Sequence, residues 1–207
     1  MIHKQEHTVS AHLPNVAYNV VAIAASAGGL RAISEILSAL PADFPAAIVV
    51  VQHLSPLYRS YMPELLNSRT QLRVKHAQTG DLLLSRTVYI AVPDKHLLVN
   101  PDGRLFLSDS LKVNFVRPAA DNLFISLAAT YKIRAIAVVL TGKLSDGLLG
   151  VLAIKKHGGT AIAQDEATSE YFSMPKSAID TGKVDFILPL NAIASTLISL
   201  VMTPKAA

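Results

Sequence analysis

The 207-residue sequence contains no cysteine and no tryptophan, and only 16% of its residues are charged. Without cysteine there can be no disulfide and no thiolate metal site, a composition that suits a reducing compartment. No apolar run reaches the roughly 18 residues of a membrane span. The polar first 17 residues lack the apolar core of a signal peptide. A cytoplasmic protein without membrane insertion is therefore expected. The net charge of +4 is scattered, with no basic run and no basic-aromatic interleaving, so no nucleic-acid partner is expected. His76, His96 and His157 show no metal-ligand spacing. His3 and His7 have it, but in a tail with no helical pattern to align them. No metal and no cofactor are expected. What the chain does have is an apolar content of 51%, enough for a full-sized core. Residues 1–17 read as a loose tail and 18–203 as one domain.

The most informative stretch is residues 20–31, Val-Val-Ala-Ile-Ala-Ala-Ser-Ala-Gly-Gly-Leu-Arg. An apolar, β-branched run stops at Ser26, two glycines follow, and Leu30, Ile33, Leu37 and Leu40 then begin a helical spacing. That predicts a strand, a tight turn and a helix, with a hydroxyl at the bend. A dinucleotide fingerprint fails at Ala24 and Ser26, and no phosphate-loop G-K-[ST] is present. The nucleophile elbow G-x-S-x-G fits with one change, Ala24 for the first glycine. Taken alone, Ser26 could equally cap the following helix.

Strands are predicted at Tyr18 to Ala25, Ala46 to Gln52, Leu72 to His76, Val88 to Val92, Arg134 to Leu140, Thr160 to Ala163 and Val184 to Leu188. Near-continuous apolar runs such as Ala46 to Gln52 suit parallel strands buried on both faces. Helices are predicted at Leu30 to Leu40, Tyr58 to Leu66 (interrupted by Pro63), from Pro118 to Tyr131, Leu148 to His157, Pro175 to Ile179 and Ala192 to Val201. Leu97 to Asn100 and Arg104 to Leu107 flank Pro101-Asp102-Gly103, which marks an antiparallel hairpin. The expected fold is α/β: a doubly wound, mostly parallel sheet with a hairpin addition and helices on both faces.

Ser26, His53 and Asp146 follow the three most apolar strands. In a parallel sheet the carboxyl ends share one edge, where the three side chains could converge as a hydroxyl, an imidazole and a carboxylate. Such a set makes a triad: the imidazole takes the serine proton, and the carboxylate holds the ring tautomer. Singly, each has a simpler role. His53 could satisfy a loop, and Asp146 could cap the helix from Gly147. Asp165 and Glu166 read as a solvated loop.

The motifs carry a resemblance over about Val21 to Leu197. Ala25-Ser26-Ala27-Gly28-Gly29 is similar to the A-S-[TA]-G-G turn of the CheB chemotaxis methylesterase catalytic domain, and Gln52-His53 to its Q-H. Leu140-Thr141-Gly142 through Asp146-Gly147 resembles its L-T-G-M-G-x-D-G loop. Arg117-Pro118, Asp121 and Leu123-Phe124 resemble its R-P-x-x-D-x-L-F segment. Ala163-Gln164-Asp165-Glu166 and Met174-Pro175 match its A-Q-D-E and M-P elements.

The resemblance implies a protein-glutamate methylesterase that hydrolyses glutamyl methyl esters on chemoreceptors and also deamidates receptor glutamines. Ser26 would be the nucleophile, His53 the base and Asp146 the orienting carboxylate. Backbone N–H groups near Ala27 and Lys143 would form the oxyanion hole. The implied partner is a methylated chemoreceptor, with a cognate methyltransferase as a second candidate. Three departures bear on substrate and control. Lys143-Leu144 replaces Met-Gly, Ala27 replaces the frequent Thr, and only a short tail stands where the family carries a phosphorylatable receiver. Phospho-control in cis is thus expected to be absent. Two other functions fit the motifs less well: a serine esterase for a different substrate, and a non-catalytic module that docks on receptors.

Overall fold

The computed structural model describes residues 16–55 and 59–202. The expected tail, with His3, His7 and His12, lies almost wholly outside the described residues, as does Tyr58.

Seven strands form one parallel sheet. They are β1 (Val20–Ala25), β2 (Ala47–Gln52), β3 (Arg73–His76), β4 (Thr87–Ile90), β7 (Ala135–Val139), β8 (Thr160–Gln164) and β9 (Phe186–Leu188). The order across the sheet is β3-β4-β2-β1-β7-β8-β9. The hairpin signal around Gly103 becomes β5 (His96–Val99) and β6 (Leu105–Ser108), antiparallel and a sheet of their own. Among the described residues six α-helices accompany the sheets: α1 (Gly29–Ala39), α2 (Met62–Asn67), α3 (Ala120–Tyr131), α4 (Leu148–Lys156), α5 (Ser173–Ile179) and α6 (Leu190–Met202). This is the expected α/β architecture.

Both faces of the central strands are buried, which is why their sequences are apolar at every position but Gln52 and do not alternate. Val21, Ile23 and Ala25 pack with Ile33, Ile36 and Leu37 of α1, Met62 and Leu66 of α2, and Ile193 and Leu197 of α6. Ala22 and Ala24 face the opposite core, built from Leu123, Phe124 and Leu127 of α3, Val151 and Ile154 of α4, and Met174 of α5. Alanines on that face of β1 leave room for Phe124 above the sheet.

Some boundaries differ from expectation for local reasons. Pro63 starts α2 instead of interrupting it, because proline suits the first turn, where its missing N–H costs nothing. Pro118, joined to Arg117 by a cis peptide, lies outside α3. Ala119 is extended and the helix begins at Ala120, where a carboxylate from elsewhere meets its first N–H groups. At the other end of the fold Gly158, with φ 80°, follows α4 as a left-handed stop.

Chain order reverses beside β1. The chain first builds outward through β2 to β3 and β4, then returns to β1's other flank with β7 and continues to β9. Carboxyl ends of strands at such a reversal open a crevice, the usual place for a site in this class of sheet.

Candidate active site

β1 pairs in parallel with both β2 and β7, Ala25 standing beside Gln52 and Ala24 beside Val139. Ladder bonds run one step further: His53 N–H donates to Ala25 O at 3.0 Å, and Ser26 N–H donates to Thr141 O at 3.0 Å. Ser26, His53 and the Thr141 turn are therefore neighbours along one sheet edge. Gly28 turns the chain from β1 into α1 with φ 78°, a conformation costly for a residue with a Cβ. Gly142 is needed for proximity. A Cβ there would fall 2.8 Å from Ser26 Cβ and 2.3 Å from Met174 Sδ.

Two buried amides brace this edge. Gln52 Nε2 donates to Ser26 O at 2.7 Å and to His53 O at 3.0 Å. Gln164 Oε1 accepts Thr141 N–H at 2.9 Å, while its Nε2 donates to Thr168 O. Thr141 Oγ1 in turn donates to Ala27 O at 3.0 Å and accepts Tyr171 N–H at 2.9 Å. The backbone around Ser26 is thus fixed from three strands. Polar residues ending otherwise apolar strands were the sequence signal for Gln52 and Gln164, but it could not show which groups they would hold.

Asp146 reaches the same edge from the loop after β7. Its Oδ2 lies 2.7 Å from His53 Nε2, and the carboxylate residue is only 2% exposed. The same Oδ2 accepts Ala120 N–H at 2.6 Å, and Oδ1 accepts Asp121 N–H at 3.0 Å. Asp146 does cap a helix, as its residue type allows, but the helix is α3 and not the α4 that follows it; Gly147 takes the N-cap position of α4 without a side-chain bond. A buried anion is stable here because the positive end of α3 and two N–H donors replace water. The carboxylate that meets the imidazole is thus placed by a helix and not by a flexible loop.

Ala27 and Lys143 flank this constellation, and among the described residues neither backbone N–H has a hydrogen-bond acceptor. Lys143 itself is exposed and holds its ammonium 4.6 Å from the Tyr171 ring centroid. It is not paired with Asp146, whose oxygens are occupied by His53 and α3. Leu144 has φ 68° and is 63% exposed, a left-handed conformation that costs a non-glycine residue about 1 kcal/mol. Asp165 lies in a turn, as expected, accepting from Thr168 N–H and Oγ1.

Hollows open on both sides of the pair. One of about 390 Å³ is lined by Ser26, Leu30, Arg31, Leu54 and Met62. A smaller one of about 90 Å³ lies beside His53 and is bordered by Asp94, Phe115 and Arg117. Arg117 bonds Asp94 through Nε and Nη2 and the carbonyls of Asp109 and Ser110 through Nη1, so this wall is tied down. Among the described residues no group of three His, Cys, Asp or Glu is arranged to hold a metal. None of the helices described is long and apolar enough to cross a membrane.

The model of the CheB methylesterase family matches residues 21–197. The chain belongs to that family. It is 43% identical over 191 residues to the protein-glutamate methylesterase/protein-glutamine glutaminase of Thermotoga maritima, which covers 91% of this chain and 56% of that protein. A group 3 operon protein of the same designation from Rhizobium meliloti is 44% identical, over 87% of this chain and 51% of its own length. The chain thus spans about half the length of these curated relatives. A 38% identical relative from Leptospira interrogans is spanned over 95% of its length. The crystal structure of the Thermotoga maritima CheB methylesterase catalytic domain superimposes with a TM-score of 0.85 at 42% identity, over 88% of this chain and 98% of that one. In this CheB-family chain the matched region includes all three strand ends described above.

Proposed function

We propose that the chain is a cytoplasmic protein-glutamate methylesterase, with glutamine deamidation as a second activity on the same acyl chemistry, acting on methylated chemoreceptors. The observation that carries this reading is the 2.7 Å bond between His53 Nε2 and Asp146 Oδ2 at the sheet edge next to Ser26, in a chain of this family.

Because the carboxylate accepts a hydrogen bond from Nε2–H, Nδ1 is the ring nitrogen available as a base. Ser26 Oγ attacks the δ-carbonyl carbon of a glutamyl methyl ester and gives its proton to His53 Nδ1. The oxyanion of the tetrahedral intermediate is met by the Ala27 and Lys143 N–H groups. The C–O bond to the methoxy group breaks, that oxygen takes the proton from the imidazolium, and methanol leaves an acyl-enzyme on Ser26. Water repeats the sequence: it attacks the acyl carbon and passes a proton to His53, which returns it to Ser26 Oγ as the free glutamate departs. With a glutamine side chain the first leaving group is ammonia. Asp146 stabilises the imidazolium in each half-reaction.

The test is methanol release from methylated receptor membranes, run beside hydrolysis of a simple activated ester, with Ser26→Ala as control. Losing the nucleophile should lower kcat by about 10⁴ to 10⁶ without changing the melting temperature. Hydrolysis of the simple ester alone would move the assignment to another substrate. Inactivity on both, or a Ser26→Ala variant with a tenth of wild-type turnover, would refute it.

A further inference from the structure

Asp121 is an acidic side chain in the core that takes no part in the scheme above. It lies in the first turn of α3 and is 2% exposed. Its Oδ1 accepts the N–H of Gly150, in the first turn of α4, at 2.8 Å, and the N–H groups of Gly147 and Leu149 are also directed at the carboxylate. Asp146, just before α4, sends its own carboxylate to the first N–H groups of α3. The start of α3 is therefore capped by the acid that precedes α4, and the start of α4 by an acid of α3. The two helices also touch closely, since a Cβ on Gly150 would come within 2.4 Å of Phe124 Cβ. A carboxylate at a neighbouring helix's N-terminus is well placed electrostatically, but two such acids side by side repel.

We propose that Asp121 is a positioning residue for Asp146: it locks the start of α4 to the start of α3, so that the Asp146 carboxylate is held against His53, and its negative charge favours the imidazolium form. The proposal rests on the role given to His53 and Asp146 above. Burial, reinforced by repulsion from Asp146, pushes the Asp121 carboxyl up to about 6, while the α4 N–H groups pull it down. Its charge is thus lost in mild acid. Few other titratable groups surround this helix end. His96 accepts from Ala119 N–H through Nδ1 and donates to Leu111 O through Nε2, and Arg117 is paired with Asp94. On the α3 side of the sheet the strands offer apolar side chains and one titratable group, Tyr89 of β4, which interacts with Tyr131 at the far end of α3 and has its hydroxyl donating to Leu82 O and accepting from Leu84 N–H.

The sign follows from charge. Removing an anion near His53 makes the imidazolium less favourable, so the base stays neutral to lower pH. Asp121→Asn should move the acid limb of kcat/KM downward by about half a pH unit, the scale of one charge acting through protein at several ångströms. On the alkaline plateau kcat should fall by about threefold to tenfold. Asp121→Ser, which can still accept from a helix N–H, should move the limb equally. Reciprocity gives a second measurement that needs neither an Asp121 variant nor turnover. The Asp121 carboxyl midpoint, followed by ¹³C NMR, should rise by the same half unit in His53→Gln. A limb that stays in place in folded Asp121 variants, or an Asp121 midpoint indifferent to His53→Gln, overturns the proposal and leaves Asp121 a structural cap only. An enzyme inactive on every ester would refute the proposed function instead, with the NMR coupling still measurable.

Discussion

Replacing Asp146 with Asn tests the double duty of its carboxylate. Oδ2 serves both His53 Nε2 and Ala120 N–H, and Oδ1 serves Asp121 N–H. An Asn amide has one oxygen and one NH₂ group, so it can be placed in two ways. With oxygen at the Oδ2 position, the imidazole tautomer is kept but the NH₂ faces Asp121 N–H, donor against donor. With NH₂ at that position, Ala120 N–H is opposed and the amide donates to Nε2, moving the ring proton to Nδ1, where it blocks the base. Either way a buried N–H loses its acceptor, at about 1–3 kcal/mol, and the charge at the α3 N-terminus is lost, at about 0.3–2 kcal/mol. A destabilisation of about 2–4 kcal/mol corresponds to a melting temperature roughly 5–15 °C lower in a chain of this size. The first arrangement withdraws only the charge stabilising the imidazolium, whereas the second inverts the tautomer, so kcat should fall by about 10² to 10⁴. Thermal denaturation and ester hydrolysis on the same preparation read both effects. A variant melting within about 1 °C of wild type would refute the capping account, and one retaining a tenth of kcat would refute the orienting role.

Other perturbations separate the surrounding parts. Gly142→Ala sets a new Cβ against Ser26 Cβ and Met174 Sδ; the methionine can yield but the Ser26 turn cannot, so turnover should drop at least about tenfold while melting shifts by only a few degrees. Steady-state kinetics showing a normal kcat would show that the turn relaxes freely. Lys143→Met removes an exposed ammonium held over Tyr171, and should lower kcat/KM on an acidic receptor segment by about threefold to tenfold at low salt and hardly at all at high salt. A variant faster than wild type would contradict this. Stability should also depend on Asp121. Because its folded pKa of about 6 lies above the unfolded carboxyl value, the native state binds the extra proton, and this group makes the fold less stable as pH rises from about 4 to 6. Denaturant melts should show Asp121→Asn improving relative to wild type across that window by about 2–3 kcal/mol, and a constant difference would refute it.

Several features were readable in the one-dimensional chain because they rest on local chemistry. Unbroken apolar runs at Val20 to Ala25, Ala47 to Val51 and Ala135 to Val139 require strands buried on both faces, and the helical periodicity after each requires parallel crossovers. Polar residues ending such strands must share an edge, which brought out Ser26, His53 and Asp146. The Gly28-Gly29 turn and the hairpin at Gly103 follow from the conformations glycine permits. The tertiary structure alone decided which helix Asp146 caps. Its sequence neighbour α4 was the local choice, yet the carboxylate crosses to α3 and leaves α4 to Asp121. Helix N-termini draw carboxylates by field and by unpaired N–H groups, and neither depends on sequence order. Lys143 shows the same limit: beside Asp146 in the loop it looked available for pairing, but the buried carboxylate is already fully used and the ammonium lies over Tyr171. Sequence proximity sets which groups are tethered near one another. Burial and competition for hydrogen bonds in the folded chain settle which of them meet.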